Sequence, residues 1–228
     1  MNNVVTVFVA HPDDEVLGMG GTIAKHRKNR DLVHIVILAE GVTSRNNCNK
    51  SESEKKLIDL SIAAQKAHKI LNSTSLELCS FPDNRMDSVD RLDVVKVVEK
   101  YLGQHNPNIV YTHHAGDLNI DHRRVHEAVV TACRPIPDNS IKRLLFFEVP
   151  SSTEYQTSLS TLYFMPNWFV NISKTFKTKM QALKEYESEM RSFPHARSYE
   201  VIESLAKWRG ASVGEEVAEA FMLGRNLE

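Results

Sequence analysis

A histidine and two aspartates in one short segment form the most reactive part of this sequence. The segment is Ala10-His11-Pro12-Asp13-Asp14-Glu15. An imidazole nitrogen beside carboxylate oxygens suits a zinc-type ion in a site that keeps one position open for water. One of the adjacent aspartates could bind the metal while its neighbour faces the bound water as a base. The segment therefore favours metal-assisted hydrolysis.

Two other interpretations of this segment remain open. An aspartate is a common N-terminal helix cap, but one cap explains one carboxylate and leaves the packed like charges unexplained. Dinucleotide binding is the other interpretation, because Gly18-Met19-Gly20-Gly21 follows a strand and Glu40 ends the next strand. The acidic residues would repel a pyrophosphate, however, and these glycines more readily permit close packing of a helix against a strand.

A second polar segment, residues 113–124, could supply the third protein ligand that a catalytic zinc usually takes. We assign His122 as this ligand, because it also follows a predicted strand. Asp121 beside it could orient a histidine or an arginine. His126 shares a helix face with His122, but a surface histidine is the simpler interpretation. Asp117 is expected to shape the loop through local backbone hydrogen bonds.

The elements that must position these segments alternate between strands and helices, which predicts an α/β fold with a parallel sheet and right-handed crossovers. After a first strand that ends before Pro12, strands are predicted at residues 31–39, 75–81, 108–112, 143–149 and 168–172. Helices are predicted at residues 16–26, 52–71, 89–105, 173–191 and 199–208, and a last helix includes 218–221. Because the carboxyl ends of parallel strands share one edge of a sheet, both polar segments can meet there.

Composition narrows the class of protein. A length of 228 residues suits one domain, and 42% hydrophobic and 25% charged residues are ordinary for a soluble globular protein. A formal net charge of −1 gives no general attraction to nucleic acid or to anionic membranes. We find neither a signal-peptide pattern nor an apolar run of membrane-spanning length. Cys48, Cys79 and Cys133 are scattered and form no CxxC pair, so we expect a cytoplasmic protein.

The two polar segments together resemble the motifs of the PIG-L/LmbE family of zinc-dependent de-N-acetylases, which act on N-acetylglucosamine-type sugars. Residues 10–15 match the family's first motif in full. Asn119-Ile120-Asp121-His122 matches the second motif, His-x-Asp-His, except at its first position. Residues 193–221 are similar to the tail of bacterial members associated with polysaccharide or glycoconjugate synthesis. The resemblance implies one domain over residues 1–228, a Rossmann-like three-layer sandwich with a mostly parallel sheet that needs no NAD.

The resemblance also implies the roles of the central residues. His11, Asp14 and His122 would bind Zn²⁺ or another divalent transition metal, and Asp13 would be the general base. Zinc would lower the pKa of its water to about 7, and Asp13 would take the proton as that water attacks the acetyl carbonyl. The products would be acetate and a free amino sugar. The expected partner is a small N-acetyl sugar or sugar conjugate, and the chain could form a homo-oligomer.

One position departs from the family pattern. Asn119 stands where many relatives have a histidine that polarises the substrate carbonyl, and an amide can donate a hydrogen bond but cannot carry a proton. His195 or Arg197 could replace that histidine from the C-terminal loop. Candidate catalytic residues are therefore Asp13, Asn119, Asp121 and His195. Candidate contacts with sugar hydroxyls or a phosphate group are Arg45, Asp83, Asn84, Arg85 and Arg197.

Two other classes of function compete with this one. A metal-dependent amidase or esterase acting on another acylated small molecule would carry the same motifs. A non-catalytic sugar- or nucleotide-binding module would not need Asp13 beside a complete set of metal ligands. The sequence therefore favours an enzyme over a binding module.

Overall fold

A computed structural model describes residues 2–41, 50–137, 140–157 and 163–228. Within these ranges one seven-stranded sheet has the order β3-β2-β1-β4-β5-β7-β6. The strands are β1 (Val4–Val9), β2 (Leu32–Ala39), β3 (Ser75–Phe81), β4 (Ile109–His113), β5 (Arg143–Phe147), β6 (Trp168–Asn171) and β7 (Ala218–Asn226). Strands β1 to β5 pair in parallel, whereas β7 is antiparallel to both β5 and β6.

Helices cover both faces of this sheet, which confirms the predicted three-layer α/β sandwich. They are α1 (Asp14–Lys28), α2 (Lys50–Leu71), α3 (Arg91–His105), α4 (Ile120–Ala132), α5 (Phe176–Lys184) and α6 (Tyr199–Ala211). One core holds side chains of α1, α2, α5 and α6, and the other holds side chains of α3 and α4. Among the described residues, no helix combines the length and the apolar character needed to cross a bilayer.

Strand β1 explains why the first predicted strand is apolar along its whole length. Val5, Val7 and Val9 pack into the core on one face, and Phe8 and Ala10 pack into the core on the other. A central parallel strand is covered on both faces, so alternation with polar residues is not required. The strand delivers the first polar segment to the carboxyl edge of the sheet, between β2 and β4.

The glycines of α1 allow this helix to lie close to the sheet. A Cβ atom on Gly18 would stand 2.5 Å from Phe147 Cδ2, and one on Gly21 would stand 2.8 Å from Ile172 Cδ1. Close packing is the role expected for these glycines, and it leaves the dinucleotide interpretation without support.

A buried ion pair occupies a break in α1 at Met19, where φ is −150°. Lys179 Nζ donates to Leu17 O at 2.8 Å and pairs with Glu219 Oε1 at 2.7 Å. The Glu219 carboxylate also accepts from the backbone N–H groups of residues 21 and 22, at 2.9 and 2.6 Å. The backbone groups freed by the break are thus satisfied by charged side chains of α5 and β7.

The helix predicted around residues 218–221 is wrong, because this segment begins β7. Phe221 pairs with Phe147 of β5 on one side and with Trp168 of β6 on the other. Helix propensities of alanine and glutamate amount to less than about 1 kcal/mol per residue, and pairing with two strands outweighs them.

The helix predicted for residues 173–191 is too long at both ends. Helix α5 begins at Phe176 and ends at Lys184, and Glu187–Glu189 forms a separate 3₁₀ turn. The Ser173 N–H donates to Asn171 Oδ1 at 2.8 Å, so this residue belongs to the turn that leaves β6.

Candidate active site

Three elements bring the two polar segments together at the carboxyl edge of the sheet. His11 follows β1, Asp13 and Asp14 stand at the start of α1, and Asp121 and His122 lie in the first turn of α4. Strand β4, which leads into the second segment, is the neighbour of β1. The two segments therefore meet at the shared edge of the sheet, as predicted for parallel strands.

Asp14 lies at the centre of the candidate metal ligands. Its Oδ2 atom is 3.5 Å from His11 Nδ1 and 3.2 Å from His122 Nε2. One possible ligand atom from each of the three residues lies within 4.8 Å of the others, and all three residues are buried. His113 Nε2 is also 3.5 Å from Asp14 Oδ2, but it accepts a hydrogen bond from the Ala10 N–H at 2.8 Å.

A second carboxylate lies close to the outer ring nitrogen of each of the two histidines. His11 Nε2 and Asp121 Oδ2 are 2.9 Å apart, and His122 Nδ1 lies 3.2 Å from Asp117 Oδ1. These contacts leave His11 Nδ1 and His122 Nε2 directed towards Asp14. A carboxylate that holds the outer ring nitrogen is the usual way in which a metal-binding histidine is fixed.

Asp117 makes contacts that the sequence did not indicate, in addition to the expected hydrogen bond within its loop. Its Oδ1 atom accepts from the Asn119 N–H at 2.9 Å, as the expected loop role requires. The carboxylate also accepts from the Ser152 hydroxyl and from Thr153 Oγ1, the latter at 2.7 Å. Because these donors come from the loop after β5, sequence spacing could not indicate them.

The surrounding carboxylates favour positive charge on both imidazoles. Burial lowers the pKa of His11, but hydrogen bonds with Asp121 and Asp14 outweigh burial and raise the pKa to about 10. For His122, burial is outweighed by Asp14 and Asp117, and the pKa rises to about 9. Among the described residues, the buried atoms Asp14 Oδ1 and His122 Nε2 have no hydrogen-bond partner. Two imidazoles and a carboxylate in this setting fit a divalent metal of the zinc class.

Asp13 has a different environment from Asp14. Its Oδ2 atom accepts from Arg197 Nη1 at 2.6 Å, and its backbone N–H donates to Glu15 Oε2 at 3.1 Å. The Asp13 side chain makes no helix-capping hydrogen bond, so the cap interpretation does not account for it. Burial raises the pKa of the Asp13 carboxyl to about 8, against the opposing effect of Arg197.

A polar cavity of about 90 Å³ opens beside these residues. It is lined by His11, Pro12, Asp13, Gly41, Asp83, Asn84, Asn119, Glu189 and Arg197. Hydrogen-bonding groups therefore dominate its wall, as expected for a site that binds hydroxyl or amide groups.

Of the candidate substrate contacts, Asp83, Asn84 and Arg197 line this cavity, whereas Arg85 is exposed and does not. Arg45 lies outside the described residues. The structure thus retains three of the five residues as possible substrate contacts.

Asn119, which stands at the position of the family histidine, and His195, which with Arg197 could replace that histidine, differ in position. Asn119 lines the cavity, where its Oδ1 accepts from the Asp121 N–H at 2.8 Å and caps α4, and its Nδ2 donates to Asn84 Oδ1 at 3.1 Å. His195 is exposed and does not line the cavity, and its Nδ1 accepts from the Arg197 N–H at 3.0 Å. The structure therefore does not bring His195 to the candidate site.

Comparison with known proteins identifies a family. The family model for GlcNAc-PI de-N-acetylase matches residues 6–133, a span that contains all three candidate ligands. The uncharacterized deacetylase YaiS of Escherichia coli K12 is 28% identical over 185 residues, covering 78% of this chain and 88% of YaiS. The probable N-acetyl-alpha-D-glucosaminyl L-malate deacetylase 2 of Bacillus anthracis is 23% identical over 188 residues, covering 81% of this chain and 80% of the relative.

Solved structures show that the fold serves more than one reaction. The N,N'-diacetylchitobiose deacetylase of Pyrococcus horikoshii superposes with a TM-score of 0.76 at 17% identity, covering 98% of this chain and 85% of that one. GalB, the 4-carboxy-2-hydroxymuconate hydratase of Pseudomonas putida KT2440, superposes with a TM-score of 0.80 at 21% identity. The match covers 98% of this chain and 97% of GalB. The fold by itself therefore does not specify the reaction.

Proposed function

Because the chain belongs to the PIG-L family of de-N-acetylases, we propose that it is a zinc-dependent hydrolase that removes the acetyl group from an N-acetylglucosamine-type sugar or sugar conjugate. Deacetylation is the reaction named for the family and for the Escherichia coli and Bacillus anthracis relatives described above. The observation that carries the finer proposal is the position of Asp13. It adjoins Asp14 in the sequence and lines the polar cavity together with His11, so it is placed to activate water for attack on an amide.

His11, Asp14 and His122 would hold the metal in this proposal. A divalent ion of the zinc class supplies Lewis acidity towards a carbonyl oxygen and lowers the pKa of water to about 7. Asp121 holds the outer ring nitrogen of His11 by a hydrogen bond, and Asp117 lies beside that of His122, so the other nitrogen of each ring faces Asp14.

Asp13 acts as general base and then as general acid. Arg197 holds Oδ2, while Oδ1 is buried without a hydrogen-bond partner among the described residues and can accept the proton of the attacking water. A carboxyl whose pKa is raised by burial to about 8 can retain a proton near neutral pH. It can therefore pass that proton to the departing amine, which is a poor leaving group unless protonated.

Two groups of the cavity can stabilise the negative charge that develops on the acetyl oxygen. Arg197 contributes a guanidinium and Asn119 contributes an amide N–H. Loss of one such donor commonly costs a few kcal/mol of transition-state stabilisation. The Asn119 amide donates to Asn84 in this structure, so it must exchange that partner to reach a substrate.

The chemistry of the cavity supports a sugar as the substrate. Asp83 and Glu189 present carboxylates, which accept hydrogen bonds from hydroxyl groups. The Bacillus anthracis relative is named for an N-acetylglucosaminyl conjugate, in agreement with this class.

The test is acetate release from a panel of N-acetylated sugars and sugar conjugates, measured with zinc-loaded and metal-free protein. We expect release from at least one N-acetylglucosamine derivative by the loaded protein, and release at least about 10²-fold slower by Asp13→Asn. Hydrolysis of acyl esters or of non-sugar amides without any sugar deacetylation would favour the amidase or esterase alternative. Zinc-independent release would contradict the metal assignment.

A further inference from the structure

Asp13 has a backbone conformation that a non-glycine residue rarely adopts. Its φ is +112° and its ψ is −31°. Such a conformation costs free energy and persists only where the surroundings impose it. The groups that hold the Asp13 backbone are therefore of interest in their own right.

Glu15 makes the direct contact with this backbone. Its Oε2 atom accepts from the Asp13 N–H at 3.1 Å, and its Oε1 atom accepts from the Tyr186 hydroxyl at 2.7 Å. Both Glu15 and Tyr186 are fully buried. His68 Nε2 lies 3.6 Å from the same Oε1 atom. The carboxylate thus joins the start of α1 to the turn that follows α5.

We propose that Glu15 and Tyr186 are positioning residues that hold the Asp13 backbone in this conformation and thereby direct its carboxylate into the cavity. The backbone conformation decides whether Oδ2 meets Arg197 and whether Oδ1 can face the attacking water. The proposal rests on the proposed role of Asp13 as the base. Neither Glu15 nor Tyr186 lines the cavity, so both act through Asp13.

An ordinary helix-capping role for Glu15 does not explain why its carboxylate also bonds to Tyr186. A side chain in the first turn of a helix can accept from the N–H of the capping residue, but this needs only one oxygen. Burying a third carboxylate beside Asp13 and Asp14 costs more than burying a neutral amide. A glutamine has one carbonyl oxygen and cannot accept from both donors through separate oxygens, whereas Glu15 does so.

Tyr186, which hydrogen-bonds to Glu15, lies in the same part of the chain as Arg197, which hydrogen-bonds to Asp13. Burial and the Glu15 carboxylate keep the pKa of Tyr186 well above its usual value, so its hydroxyl stays a donor. The segment from Tyr186 to Arg197 therefore fixes Asp13 twice, through its backbone by way of Glu15 and through its carboxylate directly.

The experiment compares Tyr186→Phe and Glu15→Gln with Tyr199→Phe as the matched control. The Tyr199 hydroxyl donates to Glu187 at 2.6 Å, so the control also loses a phenol–carboxylate hydrogen bond, in the same part of the chain. We expect kcat to fall roughly 10-fold in Tyr186→Phe and up to about 10²-fold in Glu15→Gln, since a misplaced base loses part of its contribution. KM, zinc content and Tyr199→Phe kcat should stay within about twofold of wild type.

A second readout does not depend on activity. Hydrogen exchange of the Asp13 amide should be slow in the wild type and in Tyr199→Phe, and faster in both test variants, because the acceptor is lost or released. If wild-type protein deacetylates no sugar, the proposed function fails. The exchange rate still tests whether Glu15 and Tyr186 fix the backbone conformation of Asp13.

Unchanged kcat and unchanged Asp13 exchange in Tyr186→Phe would overturn the proposal. A loss of kcat that zinc loss fully accounts for would also overturn it, by showing that Glu15 supports Asp14 instead. Should Glu15→Gln fail to fold, Tyr186→Phe decides, because it removes a single hydroxyl.

Discussion

Arg197 Nη1 and Asp13 Oδ2 form a 2.6 Å hydrogen bond between residues 184 positions apart in the sequence. Arg197 is itself oriented by a 2.7 Å hydrogen bond from Nε to Ser151 Oγ. The guanidinium therefore has a fixed position between the loop after β5 and the start of α1, with Glu189 Oε2 3.9 Å away. This arrangement makes Arg197 the residue through which pH dependence is most directly tested.

Replacing Arg197 by glutamine should move the acidic limb of the kcat/KM profile to higher pH. Burial raises the pKa of Asp13 to about 8 and Arg197 opposes that rise, so loss of the guanidinium raises the pKa further. The ionised base is then present only at higher pH. The profile is measured between pH 6 and 10, with Arg191→Gln, an exposed arginine of the same segment, as the control. A limb that stays in place would show that Asp13 is not the titrating base.

Asp13→Asn and Asp14→Asn should fail in different ways. Asp13→Asn should keep zinc and substrate binding while kcat falls by about 10²- to 10⁴-fold, because an amide cannot take a proton. Asp14→Asn removes an anionic ligand and should lose zinc first. Zinc titration of both variants is the measurement, and excess zinc should partly restore Asp14→Asn alone. The reverse pattern of rescue would exchange the two roles.

Asn119 combines a capping role with a candidate catalytic one, and two substitutions separate them. Asn119→Ser retains a capping oxygen but loses the amide donor, whereas Asn119→Ala loses both. We expect kcat to fall roughly 10²-fold in both variants, as for loss of an oxyanion donor. Only Asn119→Ala should lower Tm, by about 2–4 °C for a cap worth about 1 kcal/mol.

His195→Asn is the companion variant for this pair. Because His195 is exposed and does not line the cavity, its kcat should stay near wild type. A large loss in His195→Asn, with normal rates in Asn119→Ser, would return the polarising role to the C-terminal loop.

The ion pair between Lys179 and Glu219 should be important for stability. Lys179→Met leaves a buried carboxylate without its cation, which typically costs about 3–5 kcal/mol. The double variant Lys179→Met with Glu219→Gln removes both charges and should recover part of this loss. Urea unfolding of wild type, both single variants and the double variant gives the coupling energy. Additive single effects would show that the two side chains stabilise the break in α1 independently.

Two stacked histidines should make stability depend on pH. The rings of His34 and His105 are 4.0 Å apart. Burial and the neighbouring His105 lower the pKa of His34 to about 4, and burial lowers the pKa of His105. The unfolded chain therefore binds more protons between about pH 4 and 6.5, so stability falls as pH is lowered through this range. His105→Asn should weaken that dependence in urea unfolding at several pH values, and an unchanged slope would contradict it.

Much of the fold could be predicted because the first five strands and their crossover helices follow simple rules. Buried parallel strands are apolar throughout, and each ends near a turn or a polar segment, as β1 does at Pro12. The four residues Ala218 to Phe221 are too few for periodicity to separate a strand from a helix. Their state depends on β5 and β6, which pair with them across long sequence separations.

The candidate metal ligands could be predicted from the sequence, but the contacts around them could not. His11, Asp14 and His122 lie in two compact motifs, so residue type and spacing were sufficient to select them. The contacts that organise them were not visible, because Asp117 meets Ser152 and Thr153 through loop geometry. The sequence motifs indicate Arg197 only as a substrate contact or carbonyl polariser, and only the folded chain brings it against Asp13.

The position of β7 between β5 and β6 has a consequence for protein synthesis. Strand β6 leaves the ribosome before β7, yet in the described part of the sheet β6 pairs with no strand but β7. Until residues 218–226 have been made, the β7-facing edge of β5 also stays open, and Lys179 lacks its carboxylate partner. Open strand edges invite association between chains. A nascent chain that stalls after α6 would therefore be prone to aggregation even though its candidate metal ligands are already in place.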